Sequence, residues 1–216
     1  MERNYNRRYT REYNLGMSCF YRLFLWFVVD RVFQYCYKYT IQGKENIPKG
    51  SSRFIYAANH VSTLDPPAVG FVIRHRIAFM AKAELFDPKD PFMKWLVTHL
   101  GAFAVNRSKP EISTFKTVKD IFKTDWALGV FPQGGTFPYG KPINVKKGFA
   151  VIAKKAEADV IPIAIANFSD YPKGFGFKKQ KFDVYIGKPI SHELSEDEII
   201  EQWKNFILEH ADYPKE

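Results

Sequence analysis

The chain contains His60 and Asp65, five positions apart, in the stretch Asn59-His60-Val61-Ser62-Thr63-Leu64-Asp65-Pro66-Pro67. An imidazole whose partner carboxylate fixes its tautomer can take a proton from a hydroxyl group at neutral pH. The other histidines, His75, His99, His192 and His210, have no comparable setting. Asp65 also precedes Pro66, the arrangement of a capping residue before the first residue of a helix. The two roles are compatible, one carboxylate oxygen serving the helix and the other the imidazole.

Three further segments carry chemistry-bearing types. The apolar run Gly101-Ala102-Phe103-Ala104-Val105-Asn106-Arg107 ends on a guanidinium, which an anionic ligand explains better than packing does, although an exposed strand-end arginine is the alternative. Phe131-Pro132-Gln133-Gly134-Gly135-Thr136 can offer backbone N–H groups to an oxyanion or phosphate, or can simply be a tight turn. Lys82 closes another apolar run and reads equally as a solvated lysine.

In this order and at these intervals, the Asn-His-x4-Asp-Pro-Pro block, Gly101 to Arg107, Phe131 to Thr136 and Val160 to Ile163 resemble the four motif blocks of the PlsC-type glycerolipid acyltransferases, the 1-acylglycerol-3-phosphate (lysophosphatidic acid) acyltransferase family. The resemblance covers about residues 43 to 190. It implies that His60 is the general base and Asp65 its orienting partner. It further implies that Arg107 holds the acceptor phosphate, and that Lys82, Gln133, Gly134, Gly135, Thr136, Lys146 and Lys147 contribute to substrate binding. Pro162 would wall the pocket, whereas by itself it reads as an edge strand or a strand start. The implied reaction moves an acyl chain from acyl carrier protein or a coenzyme A thioester to a lysophospholipid hydroxyl, giving phosphatidic acid. No Gly-x-Ser-x-Gly elbow is present, so transfer without a covalent acyl-enzyme is the simpler route. Other acceptors, either a different lysophospholipid or a hydroxylated lipid, and a catalytically weak lipid-binding protein remain alternatives. The third block departs from the family pattern Phe-Pro-Glu-Gly-Thr-Arg: Gln133 replaces the glutamate, and Gly135 and Thr136 replace threonine and arginine. Gln133 keeps an acceptor, gains a donor and loses the charge. Lys141, Lys146 and Lys147 lie close enough in sequence to replace the missing phosphate contact.

The surrounding pattern predicts an α/β fold with a mixed, mostly parallel sheet sandwiched by helices. Strands are expected at 53–58, 77–81, 101–105, 127–131, 160–166 and 181–186. Helices are expected at about 65–74, 91–99, 111–124 and 146–156, with a last one opening on the capping box Ser195-Glu196-Asp197-Glu198. Residues 41–216 would form the acyltransferase domain. Residues 1–40 would form a polar, flexible arm over 1–12 and an amphipathic helix over about 13–39. On that helix Ser18, Arg22, Asp30, Gln34 and Lys38 fall at multiples of four among Leu, Phe, Trp and Val. A helix buried against the domain and a helix lying in the lipid headgroup region both fit this pattern; lipid-borne substrates favour the second.

At 216 residues and net charge +9, the chain is one domain with excess cationic charge. Residues 1–182 hold 29 Lys/Arg against 14 Asp/Glu, and residues 183–216 hold 3 against 9, so the body is +15 and the tail −6. That asymmetry suits an anionic membrane surface and phosphate-bearing substrates, and no nucleic-acid motif accompanies it. Cys19 and Cys36 suit neither a disulfide framework nor a metal site, and no signal peptide is evident. A peripheral or monotopic membrane protein on the cytoplasmic side is expected, with no metal or organic cofactor.

Overall fold

A computed structural model describes residues 7–50, 53–105, 111–137, 139–140, 143–168, 179–211 and 213. The strands are β1 (Tyr37–Gln42), β2 (Phe54–Ala58), β3 (Arg76–Lys82), β4 (Phe103–Val105), β5 (Trp126–Val130), β6 (Asp159–Ala166) and β7 (Gln180–Ile186). The helices are α1 (Leu15–Phe24), α2 (Asp30–Cys36), α3 (Asp65–Ile73), α4 (Pro91–His99), α5 (Ile112–Ile121), α6 (Gly148–Ala156) and α7 (Glu196–His210). The strands form one sheet in the order β1-β7-β6-β2-β5-β3-β4, and every neighbouring pair is parallel except β6 with β7. The expected α/β class and mixed sheet are therefore present.

The connections explain where helices lie. From β2 the chain crosses through α3 and then α4 toward one edge; from β4 it returns through α5 and α6 toward the other. Right-handed crossovers in opposite directions put the two sets on opposite faces of the sheet. Accordingly α2 packs with α3, while α6 packs against both α5 and α7. Strands β2, β5 and β6 are covered on both faces and read as near-continuous apolar runs, as buried parallel strands do. Pro162 lies inside β6 rather than on an edge. It lies just beyond the end of the β6–β7 ladder at Ile163–Ile186, next to Gly187, whose own N–H bonds the Pro162 carbonyl at 2.9 Å. A side chain at Gly187 would stand 2.6 Å from the proline ring.

The N-terminal segment differs from its expectation in three ways. Residues 7–12 are not a loose arm. Arg8 is buried and donates to the carbonyls of Thr98 and Ala102 at 3.1 Å each, its N–H meets Thr117 Oγ1, and Arg7 pairs with Asp120. The helix stops at Cys36, and Tyr37–Gln42 is a strand, so β1 runs across residues 40 and 41. Alternating Tyr37, Tyr39 and Ile41 favour that strand, and Tyr37 packs into a ring cluster with Phe33, Phe168 and Phe182. Finally, the polar stripe is split. Ser18 and Asp30 face the domain, bonded to Trp126 Nε1 and Arg74, whereas Arg22, Gln34 and Lys38 are exposed.

A π-helical turn spans Leu25–Val29 between the two helices. Buried Tyr21, Leu25, Val29 and Phe33 recur every fourth residue, a spacing that a helix of 3.6 residues per turn carries off one face. The wider turn takes up the drift and keeps all four on the core. The opposite side is left apolar and outward: Leu23, Trp26, Phe27 and Tyr35 are each more than half exposed.

Asp120 anchors the N-terminal clip. Burial pushes its carboxyl up, but hydrogen bonds from Arg7, Lys123 and Thr10 outweigh this and hold it below the usual carboxylate range. Its contribution to stability is therefore present above the unfolded-state pKa and lost as pH falls through the lower, folded value. Asp120→Asn should cost about 1.5 kcal/mol near neutral pH. In denaturant titrations the gap from wild type should close on acidification; a gap constant with pH would refute this assignment.

Candidate active site

The carboxyl ends of β2 and β5 lie side by side in the sheet, and the chain leaves them toward opposite faces, β2 through α3 and β5 through α6. Open α/β sheets have their crevice at such a switch point. His60 stands two residues past β2, and Phe131 to Thr136 follow β5 directly.

The turn from β2 to α3 is built by Asp65. Its Oδ2 accepts the Nδ1–H of His60 at 2.6 Å and the backbone N–H groups of Val61 and Ser62 at 2.7 and 2.9 Å. The carboxylate thus reaches back to the preceding turn instead of forward into the helix, and the expected division between two oxygens is not observed. Oδ1 is buried and has no hydrogen-bond partner among the described residues. Burial drives the Asp65 carboxyl upward, opposed by the imidazole and by the two N–H groups. With Nδ1 committed to the acid, Nε2 is the nitrogen left to meet a substrate. The imidazole keeps 13% exposure, whereas Asp65 has none. Ser62 is also fully buried, and its hydroxyl accepts the N–H of Leu64, so it is spoken for by the turn.

A column of rings supports the base. The imidazole stacks on Phe131 at 4.2 Å and 23°, and Phe131 stacks on Phe79 at 5.6 Å and 13°. Phe79 in turn lies opposite Gly129 in the β3–β5 register, where a Cβ would approach its ring to 2.4 Å. Only glycine leaves room for Phe79 there. Asn59, fully buried, prolongs the sheet beyond β2 by pairing its amide with Ile165, donating at 2.9 Å and accepting at 2.7 Å.

The other sequence-derived candidates divide. Gln133 is brought against His60 but is 1% exposed, its Oε1 accepting the His60 backbone N–H at 2.6 Å. Gly134 adopts φ +70° and donates its N–H to Phe131 O at 2.9 Å, which closes the turn. Gly135 is half-buried and Thr136 exposed on the same loop. Lys146 joins the loop through its N–H to Pro132 O at 2.8 Å, and its stem lies beside Gly134. Lys147 is turned to Asp197 of α7 at 3.0 Å. Lys82 ends β3, exposed, opposite Val105 in the β3–β4 register. Arg107 and Lys141 lie outside the described residues. No cluster of potential metal ligands occurs among the described residues. Sequence reasoning missed Asn59, Phe131 and Tyr213, whose hydroxyl accepts from Gln133 Nε2 at 3.3 Å. Asn59 and Phe131 lie inside motif blocks, but Tyr213 carries no sequence signal.

Comparisons with known proteins identify the family. A family model described as Acyltransferase matches residues 38–166. The 1-acyl-sn-glycerol-3-phosphate acyltransferase of Bacillus subtilis (strain 168) is 31% identical over 151 residues, covering 69% of this chain and 72% of that protein. The enzyme of the same name from Streptococcus pneumoniae is 30% identical over 148 residues, 68% of this chain and 53% of its own length. The crystal structure of the 1-acyl-sn-glycerophosphate acyltransferase PlsC from Thermotoga maritima superposes with a TM-score of 0.70 at 25% identity, covering 92% of this chain and 85% of that one. On these grounds the chain belongs to the PlsC-type acyltransferase family.

Proposed function

We propose that the protein acylates the free hydroxyl of 1-acyl-sn-glycerol-3-phosphate, using an acyl thioester of acyl carrier protein or coenzyme A and releasing phosphatidic acid and the free thiol. The observation that carries this reading is the His60–Asp65 pair at 2.6 Å, set at the switch point with the imidazole edge open. Nε2 takes the hydroxyl proton as the oxygen attacks the thioester carbonyl. The tetrahedral adduct then collapses, the carbon–sulfur bond breaks, and the imidazolium returns the proton to the departing sulfur. Asp65 holds the Nδ1 proton and stabilises the imidazolium while it exists. Arg107, Lys82 and Lys146, with the loop Gly134 to Thr136, are proposed to receive the acceptor's phosphate and glycerol. Lys147 would contribute only by releasing Asp197.

The protein is proposed to work on a membrane surface, on its cytoplasmic side. No described helix is long and apolar enough to cross a bilayer. Support comes from the outward side of the segment from α1 to α2, where Trp26 and Phe27 are exposed and Arg31 lies over the Trp26 ring, and from α4, whose Trp95 packs edge-on to Phe20 of α1 at 5.3 Å. Apolar and cationic groups together on one surface suit anionic lipid. Because the inner side of the same helices belongs to the core, deleting residues 1–40 would unmake the fold; substitution of outward residues is the informative change.

His60→Ala should lower transfer by at least about 10²–10⁴-fold with unchanged circular dichroism. Asp65→Asn, which keeps the shape and removes the charge, should fall in the same range. Retained turnover in His60→Ala would sink the assignment of the base. A panel of lyso-acceptors with labelled donors in micelles tests the acceptor: product confined to phosphate-bearing acceptors is expected, and no product with any acceptor would favour a lipid-binding role. Trp26→Ser with Phe27→Ser should weaken partitioning onto anionic vesicles about tenfold or more. Unaltered partitioning would exclude that face.

A further inference from the structure

Four hydrogen bonds form a closed circuit that begins and ends on His60. The His60 N–H donates to Gln133 Oε1 at 2.6 Å, and Gln133 Nε2 donates to the Tyr213 hydroxyl at 3.3 Å. That hydroxyl donates to the Phe137 carbonyl at 3.2 Å, and the Phe137 N–H returns to the His60 carbonyl at 2.7 Å. We propose that Gln133 and Tyr213 act as one positioning unit for the imidazole, and that Gln133 does not touch the acceptor. The inference deepens the proposed function, on which it rests for the role of His60.

An amide at position 133 meets the donor and acceptor count of the whole circuit. One group there must accept from His60 and donate to Tyr213 at once, which a carboxamide does and a carboxylate cannot. The orientation of the amide follows from the same count, since only its oxygen can serve an N–H. Gln133 and Tyr213 are 1% and 6% exposed, so a bond lost here is not replaced by solvent. Burial also raises the Tyr213 phenol above its ordinary value, which keeps its single proton in place for Phe137. The ionisable groups around the circuit are Asp65, His60, Tyr139, whose ring lies 5.6 Å from that of Tyr213, and Lys146 across the loop.

With glutamate at 133, the Tyr213 proton would turn to the carboxylate and leave Phe137, so the circuit would open at one bond but His60 would keep its acceptor. Without the hydroxyl as well, the buried carboxylate would retain a single donor beside Asp65. This sets a specific pattern of coupling.

The test measures kcat, acceptor KM, melting temperature and the NMR shift and exchange rate of the His60 amide in Gln133→Leu, Gln133→Glu, Tyr213→Phe and the Glu/Phe double variant. Gln133→Leu should lose about tenfold or more in kcat with acceptor KM within about twofold, and its His60 amide should move upfield and exchange faster. Gln133→Glu and Tyr213→Phe should each cost a few-fold in kcat, and the double variant about tenfold beyond their product. A raised KM with unchanged kcat and an undisturbed His60 amide in Gln133→Leu would make Gln133 an acceptor contact and overturn the proposal. A double variant that merely multiplies the single effects would overturn the coupling. Should the wild-type protein transfer no acyl chain, the amide measurements in Gln133→Leu and Tyr213→Phe decide alone: an unmoved His60 amide refutes the circuit, and a moved one upholds it.

Discussion

One carboxylate oxygen, Asp65 Oδ2, receives the imidazole of His60 together with the N–H groups of Val61 and Ser62. Stripping a carboxylate of water costs several kcal/mol, and a hydrogen bond to a charged group returns about 1.5–3 kcal/mol. Three such bonds on one oxygen offset part of that cost. The turn also cannot relax without losing the base, because the same oxygen defines the backbone of residues 61 and 62 and the tilt of the ring. Oδ1 gains nothing from the arrangement, which is why burial still dominates the carboxyl's proton affinity.

Everything else around His60 constrains a remaining degree of freedom. Phe131, Phe79 and the bare backbone of Gly129 set the plane of the ring from below, and Asn59 ties the preceding residue to β6. The loop after β5 grips the backbone of residue 60 at both its N–H and its carbonyl. The elements that supply these contacts are parallel neighbours in the sheet, so their spacing is fixed by ladder geometry. A site mounted this way owes its accuracy to the sheet and its chemistry to the loops.

The dyad was legible because its members are close in sequence and of types that name their chemistry. The central strands were legible for a different reason: buried parallel strands such as Ile55 to Ala58 and Trp126 to Val130 are apolar throughout. What escaped reading was long-range. The bonds of Gln133 to the His60 backbone and to Tyr213 had no local signal, because those partners are 73 and 80 residues away. Arg7 and Arg8 looked like a solvated arm because Asp120, Thr98 and Ala102 are elsewhere in the chain. The strand Tyr37–Gln42 was hidden by the aromatic helix before it, although its alternation of tyrosine with polar residues was a usable signal. Arg107, proposed to hold the acceptor phosphate, follows β4 in the sequence and lies outside the described residues.

The pairing of β1 with β7 has a consequence for biogenesis. Tyr37–Gln42 leaves the ribosome long before its neighbour Gln180–Ile186. Contacts of such separation close late. Until then Phe33 and Tyr37 lack the Phe182 ring that covers them, and the helix ahead of them is greasy on its inward stripe as well as its outward one. The nascent segment therefore resembles a free lipid-seeking peptide until that strand is made. Arrival of the final strand converts it into a helix with one committed side and one available side, so completion of the sheet and polarity of the docking face are the same event.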